Sequence, residues 1–525
     1  MNLTYSFTPG PWLLTQEGGT LLEEIAIFYS SHYGEWSPNC PMPILRGRQV
    51  SLSSEKVSKW LNNDLAELWT VRDNDILVGY AIAIKGKSGS KENIIWVTQF
   101  VIHKKFRNTG IGKQLLLSIW GFSSFFAWGL VTANPFAVRA LEKITRRRCD
   151  PERIRRNSQQ ILNFGNKNVS YIDEHIEKRI DSKSSLVNTK FYVDHSDVDK
   201  MLDAVITEDK PWLLGGIEEG WEWFAFTFND QEPFELTELE INDMLAVSDS
   251  IAQQAYNRML MDLVSQSWTN STRIEVDYII DKLKLNPTHS ILDVGCGMGR
   301  HTIEFSKRGY NIEGIDYAKS LIDSAKSKAL KANVDCVFSC VDITESNNLV
   351  QLQTNYDVII CLYDVIGSYA DETKNKRILN NISSLLIEGG YAVISVMNLH
   401  LTEKKAKHKF ILKESSKALL ELPASHTMEE TGNIFNPDFY LIDEKTKIVY
   451  RKEIFSYNRT HSNSIPIELI VRDKRYYAKE IEQMCISVGL TVVEKRFVNA
   501  GWQTDFESTS DKAKEILLVL QKRTN

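Results

Sequence analysis

Long apolar runs are missing from this 525-residue chain: no stretch approaches the roughly 18 consecutive apolar residues that a membrane-crossing helix needs. The richest segment, SIWGFSSFFAWGLV (118–131), is interrupted by serines and is too short. The opening MNLTYSFTPG has neither the basic start nor the apolar stretch of a secretory leader, so a cytoplasmic protein without membrane contact is expected. Cysteine is scarce as well. The seven cysteines are scattered and form no CxxC pair, which argues for reduced thiols and against a disulfide framework or a zinc site; no metal is expected. A basic surplus is also absent. With 62 Lys and Arg against 68 Asp and Glu, the formal charge of −6 gives no general electrostatic hold on nucleic acid. Internal repeats and low-complexity tracts are not found.

What is present is ordinary globular composition, 43% hydrophobic and 25% charged, in a chain long enough for several cores. Two blocks of alternating strand and helix signals stand out. The first runs from about 20 to 165. A helix-like LLEEIAIFYSSHYG and a serine-capped SSEKVSKWLNN precede strand-like runs at LAELWTVRD, DILVGYAIAI and IIWVTQFVIH. The amphipathic GIGKQLLLSIWGF, the strand FAWGLVTA and the helix opened by Pro135 follow, and Asp150 with Pro151 begins another helix. Residues 166–236 are less regular and end in an aromatic cluster, KPWLLGGIEEGWEWFAFTF, whose plain reading is core or domain interface.

A long helical stretch, 236–268, leads into the second block, where SILDVG, NIEGID, DCVFSCVD, YDVIICLYD, YAVISVM and EILLVLQKR alternate with helices. Apolar strands separated by helices predict a doubly wound, mainly parallel sheet. A polar, strand-rich insertion at about 425–475 interrupts the order. The fold class expected is therefore α/β, with boundaries at 1–170, an aromatic-rich extension or linker at 171–245, and a second domain at 246–525.

ILDVGCGMGRH (291–301) raises the question of which ligand needs bare backbone between a strand and a helix. Gly295, Gly297 and Gly299 form GxGxG, and Arg300 stands where a dinucleotide fingerprint would require another glycine. Asp293, two residues ahead, would repel a pyrophosphate and attract a cation, which favours a positively charged nucleoside such as S-adenosylmethionine (SAM). On these motifs the segment from about 271 to 525 resembles the class I SAM-dependent methyltransferases, which share a Rossmann-like fold. That resemblance implies that Asp293, Gly295, Cys296, Gly297 and Gly299 surround the methionine part of SAM. It implies further that Asp316 binds the ribose hydroxyls, and that Asp342 with Ile343 holds the adenine. Methyl transfer needs alignment and exclusion of water more than acid or base chemistry. Tyr363, Asp364 and His301 lie near the expected cofactor edge, with Tyr363 and Asp364 the catalytic candidates; for each, a helix cap or packing ring is the plain alternative. The insertion and the segment AYNRMLMDLV (255–264) are expected walls of the acceptor pocket.

FVIHKKFRNTGIGKQLL (100–116) carries a second signal, RxxGxG at a strand-to-helix junction, where successive amides can hold a pyrophosphate. With GLVTANPFAVRALEK after it, the run from 20 to 146 resembles the GNAT acyltransferases. The resemblance implies acetyl-CoA or another acyl-CoA bound by Arg107, Gly110, Ile111, Gly112 and Lys113, with Asn134 opening the next helix. Two departures stand out. Leu141 occupies the position where many members place a tyrosine acid, and the strand that often carries a carboxylate base offers Gln99 and His103, the latter as the candidate base.

The function expected is a bifunctional transferase that moves methyl and acyl groups to a small-molecule amine or hydroxyl. Two alternatives remain open. The basic segment 139–156, RALEKITRRRCDPERIRR, allows a tRNA- or DNA-modifying enzyme, and the first block could be a non-catalytic binding module.

Overall fold

The computed structural model describes residues 3–15, 18–88, 92–258, 267–352, 355–407, 409–412, 417–426, 434–455 and 466–524. They form two compact units, Met1–Ile251 with Asn458–Leu469, and Ala252–Tyr457 with Ile470–Asn525.

The first unit is built on one eight-stranded sheet of β1 (Leu3–Pro9), β2 (Ala66–Asp73), β3 (Ile76–Ser88), β4 (Glu92–Ile102), β5 (Ala127–Thr132), β6 (Lys178–Ile180), β7 (Ser185–Phe191) and β8 (Gly220–Phe228), in the order β1-β2-β3-β4-β5-β8-β7-β6. Only β4 and β5 run parallel. Their pairing ends at Val97 opposite Leu130 although β4 continues to Ile102. A bulge at Thr98, between the pairs Ile82–Gln99 and Ala83–Val97, falls at the same point. A cleft between two strands that part is where a ligand can reach backbone amides. The helix Ile111–Trp120 starts at Gly110, which caps it in the left-handed region at φ +93°. Asn134 caps Pro135–Thr145 by accepting from Phe136 N, and Asp150 caps Pro151–Asn168 by accepting from Glu152 N. The stretch 171–245, expected as an extension or linker, instead supplies β6, β7 and β8 to this sheet. Every residue of β8, GWEWFAFTF, is buried, so its aromatics are core.

The second unit holds a seven-stranded sheet. Its members are β9 (Ser290–Val294), β10 (Asn311–Asp316), β11 (Val337–Cys340), β12 (Tyr356–Cys361) and β13 (Leu386–Met397), joined after a smaller sheet by β19 (Leu490–Val498) and β20 (Glu515–Lys522). The order is β11-β10-β9-β12-β13-β20-β19. All pairs are parallel except those made by β20, which runs against β13 and β19. The order reverses between β9 and β12, so the loops after these strands open a crevice at the carboxyl edge. Continuous apolar runs bury the sheet on both faces; Leu292, Ile359, Ile394 and Leu518 are fully enclosed. The smaller sheet comprises β14 (Lys409–Phe410), β15 (Ala424–Ser425), β16 (Tyr440–Asp443), β17 (Ile448–Phe455) and β18 (Ile467–Lys474), and contains the strand-rich insertion. Among the described residues no helix is long and apolar enough to cross a membrane, and no group of acids, histidines and cysteines is arranged to hold a metal.

Candidate functional site

A cavity of about 640 Å³ opens at the crevice of the second sheet. Asp293, Gly295, Cys296 and Gly297 line one side, and Tyr363, Asp364, Met397, Phe435 and Glu515 the other. Gly299, Asp316, Asp342 and Ile343 are not on its wall, but two of them shape it. Asp316, at the end of β10, accepts hydrogen bonds from Gly297 N and Ala318 N, each at 2.9 Å, and so ties the glycine loop to the second strand. Asp342 lies two residues past Cys340, the β11 partner of Asp316, and accepts from Thr344 N and Oγ1. The partly exposed Tyr317 feels the charge of both acids.

The glycines are required by geometry. Gly295 (φ +71°), Gly297 (φ +54°) and Gly299 (φ +77°) all sit in the left-handed region. A Cβ on Gly295 would collide with Val365 and one on Gly299 with Phe338, whereas one on Gly297 would meet only open space. Of the three, Gly297 is therefore the one whose backbone borders open space, and it lines the cavity. Asp293 is buried beside it with Thr302 Oγ1 donating at 2.7 Å, and burial pushes its carboxyl up. With the loop amides already tied, Gly295 N and Cys296 N to Ile315 O and Gly297 N to Asp316, acids beside an open glycine fit a cationic nucleoside with hydroxyls and do not fit a pyrophosphate.

Sequence reasoning missed the acid that ties three cavity-lining residues together from behind. Glu275, on the helix Thr272–Leu283, is fully buried. It accepts from Arg300 Nη1 at 2.8 Å, His301 Nε2 at 2.8 Å, Tyr363 Oη at 2.6 Å and Gly501 N at 3.1 Å. Burial alone would raise its pKa, but the bond from His301 and the charge of Arg300 bring it down to about 2. Burial first and Arg300 second lower the pKa of His301, and because the Glu275 carboxylate can only accept, Nε2 is the donor between them. Arg300 also lies over the Tyr363 ring, 4.6 Å from its centre. Tyr363 itself occupies the left-handed region at φ +67°, with its N–H bound to Ser395 Oγ at 2.5 Å.

Glu515, the first residue of β20, was also missed. Burial raises its pKa to about 8, its Oε2 has no partner among the described residues, and Ser395 bonds to the carboxyl. Asp364 is raised too, by burial first, with the charges of Arg451 and Arg475 opposing. The insertion contributes Ile434 and Phe435 to the cavity wall. Arg475, fully buried, fixes them: it donates to Ile434 O at 2.9 Å and to Asp473 Oδ2 at 2.8 Å, and lies over the Phe435 ring at 4.7 Å. The other expected wall, AYNRMLMDLV, falls outside the residues whose side chains are described.

In the first unit, Gly110 presents open space to a ligand, and the amides of Ile111, Gly112 and Lys113 begin a ten-residue helix, an arrangement that fits a pyrophosphate. Gly112 serves packing, since a Cβ there would press on the Phe100 ring. Arg107 is exposed and tied to backbone carbonyls: its Nε donates to Ile102 O at 3.2 Å and its Nη2 to His32 O. Lys113 has its pKa lowered by burial and by Lys143. His103 accepts Lys105 N on Nδ1 at 3.1 Å and packs on His32 with ring centres 4.0 Å apart. Burial, then Lys105 and Arg107, lower its pKa. Leu141 is core. The arginines of 139–156 have partners within the unit: Arg139 and Arg148 pair with Glu142, Arg153 with Asp230, and Arg155 and Arg156 with Glu152.

Comparison with known proteins agrees with both halves. Residues 285–453 match the model of a methyltransferase domain and residues 33–143 that of the acetyltransferase (GNAT) family. Ubiquinone biosynthesis O-methyltransferase of Rickettsia prowazekii is 31% identical over 149 residues, 26% of this chain and 56% of that protein. Its counterpart in Coxiella burnetii is 30% identical over 125 residues, 24% of this chain and 50% of that protein. The chain thus spans about half the length of the curated relatives it matches. Among solved structures, an S-adenosylmethionine-dependent methyltransferase from Clostridium acetobutylicum aligns over 54% of this chain and 99% of its own, at 14% identity and TM-score 0.35. The CcbJ methyltransferase of Streptomyces caelestis aligns over 51% and 98%, at 14% identity and TM-score 0.38.

Proposed function

From a chain that joins a GNAT-family acetyltransferase domain to a SAM-dependent methyltransferase domain, we propose a bifunctional transferase acting on small-molecule amines or hydroxyls. The observation that carries this reading is the second unit's cavity, with a glycine cradle on one side and two raised carboxyls, Asp364 and Glu515, on the other. SAM bound in the cradle supplies an electrophilic methyl group, and acyl-CoA at Gly110–Lys113 supplies a thioester carbonyl.

The chain's own groups do the rest. Gly297 leaves open space at the cavity, Asp316 holds the loop through Gly297 N, and Asp342, two residues past the β11 partner of Asp316, would take the base. Glu275 locks Arg300 and Tyr363 behind the cradle. Met397, Ile434 and Phe435 exclude water from the acceptor side, and Asp364 or Glu515 takes the acceptor's proton. Relatives named as O-methyltransferases favour a hydroxyl at this end. The intramolecular partners of the 139–156 arginines speak against an RNA- or DNA-docking ridge.

The test is incubation of the full chain with SAM, acetyl-CoA, a metabolite extract and, separately, total tRNA or duplex DNA. Methylation and acylation of a small molecule are expected. Mass gain confined to the nucleic acids would overturn the reading.

A further inference from the structure

The first unit contains a buried acid that neither cofactor site uses. Glu222, on β8, is 8% exposed and has Thr189 Oγ1 donating to it at 2.8 Å, and the Ala133 amide also bonds to it. Register places it on a defined face. Tyr80 stands opposite Val101, Ile82 opposite Gln99, Ile84 opposite Trp96, Trp96 opposite Gly129, and Gly129 opposite Phe226. With the strand period of two, Tyr80, Gln99, Trp96, Phe226, Phe224 and Glu222 therefore share one face. Glu222 lies across from the end of β5, just past the last β4–β5 pair.

Four phenols are gathered on this face. Tyr29 and Tyr33 stack with ring centres 4.4 Å apart, Trp96 Nε1 donates to Tyr171 Oη at 3.2 Å, and Tyr80 Oη is buried without a partner among the described residues. Tyr29, Tyr33 and Tyr171 all feel the charge of Glu222, and their hydroxyls are held protonated by burial first, then by that charge for Tyr29 and Tyr171 and by Tyr29 ahead of it for Tyr33. Tyr33 and Tyr171 are partly exposed, so the cluster reaches solvent. Tyr171 also lines a cavity of about 370 Å³ with Trp60, Thr98 and Gln99, the last carrying a buried Oε1 without a partner among the described residues. A buried carboxyl without a cationic partner among the described residues, an orphaned hydroxyl and an orphaned amide oxygen on one sheet face are costly to the fold alone.

We infer that Glu222 is the proton acceptor of acyl transfer in this unit, and that the acceptor is an amine entering past Tyr33 and Tyr171 toward the parting of β4 and β5. The inference rests on the acyl-transfer reading above and replaces His103, whose Nδ1 is already occupied. An ammonium gives one proton to the carboxylate; the freed nitrogen bonds to the thioester carbonyl carbon and the carbon–sulfur bond breaks. The second amine proton leaves with the sulfur as the CoA thiol, and Glu222 returns its proton to solvent. Burial brings Glu222 to about 7, where it can both accept and release a proton near neutrality.

The test uses the full chain, acetyl-CoA and three probe amines, butylamine, phenethylamine and spermidine, reading CoA thiol release and amine binding by calorimetry without acetyl-CoA. The wild type is expected to release CoA with at least one amine, at a rate rising through pH about 7. Glu222→Gln is expected to lose about 100-fold in that rate, lose the rise with pH, and bind the amine at least about tenfold more weakly at pH 8, with CoA affinity retained. Should Glu222→Gln lose CoA affinity as well, Thr189→Val decides: removing its hydroxyl is expected to move the rise to higher pH, and an unmoved profile overturns the assignment. A wild type inert toward all three amines overturns the acyl-transfer reading itself. A wild type that acylates, with Glu222→Gln matching it in rate, profile and amine affinity, overturns Glu222 alone.

Discussion

The Tyr363 hydroxyl donates to Glu275 Oε1 at 2.6 Å, joining the loop after the fourth parallel strand to the helix that precedes the first. The same carboxylate holds Arg300 and His301 from the helix that follows the glycine loop, so three segments distant in sequence share one negative charge. A residue in the left-handed region is kept there by such cross-links, and Tyr363 is one.

Glu275→Gln is expected to destabilise the methyltransferase unit by about 3 kcal/mol, because Arg300 is left half-compensated in a buried site. The pH dependence follows from the depressed value. The stabilisation that Glu275 gives is complete above its ordinary pKa near 4.5 and is lost as pH falls toward about 2. Thermal melts of wild type and variant between pH 7 and 3 check both points. The gap should narrow in acid, and a constant gap would remove the charge argument.

Gly297→Asp and Asp316→Ala are each expected to abolish measurable SAM binding while leaving the unit folded. The first puts a side chain and a charge into open space facing the ligand, at a backbone angle of +54°. The second frees the Gly297 N–H from its tether. Calorimetry gives the affinity and circular dichroism the fold. Unchanged affinity in both would refute the cradle.

Much of this was legible in the chain. The apolar runs of β9, β10, β12 and β13 announce a buried parallel sheet because both faces must be covered, and GxGxG announces its loop because those angles exclude other residues. The strands β1 and β19 do not stand out in the sequence: LTYSFTP has few apolar residues, and in LTVVEKRFV the charged Glu494, Lys495 and Arg496 interrupt the apolar ones, matching its partial burial. β8 was seen as aromatic without its sheet partners. The acids Glu275, Glu515 and Glu222 were invisible for one shared reason: a sequence shows a carboxylate but not its burial. Only the position of Glu275 beside Val276 and Ile279, on the buried face of its helix, hinted at the outcome.

Glu515→Gln should act in the opposite sense to Glu275→Gln. A carboxyl raised to about 8 by burial opposes folding increasingly as pH climbs from its ordinary range through 8, since the unfolded chain ionises first. The amide removes that burden, so the variant is expected to melt higher than wild type at pH 8–9 and close to it at pH 5. If Glu515 also takes the acceptor's proton, methyl transfer to the identified small molecule falls by about 100-fold while SAM affinity holds. A variant that is more stable at high pH and fully active would leave Asp364 as the base.

The two cofactor sites can be separated by one substitution in the first unit. Gly110 caps its helix at φ +93°, with open space where a Cβ would point. Valine there meets a backbone angle that a β-branched residue adopts only under strain, costing on the order of 1–2 kcal/mol, and its methyl groups would occupy the place assigned to the pyrophosphate. Gly110→Val is therefore expected to weaken CoA binding at least about tenfold and to leave SAM binding unchanged, both by calorimetry on the full chain. Loss of both affinities would mean that the strain unfolds more than the loop. Retention of CoA affinity would move the pyrophosphate away from the amides of Ile111, Gly112 and Lys113, and with it the case for acyl-CoA at that helix end.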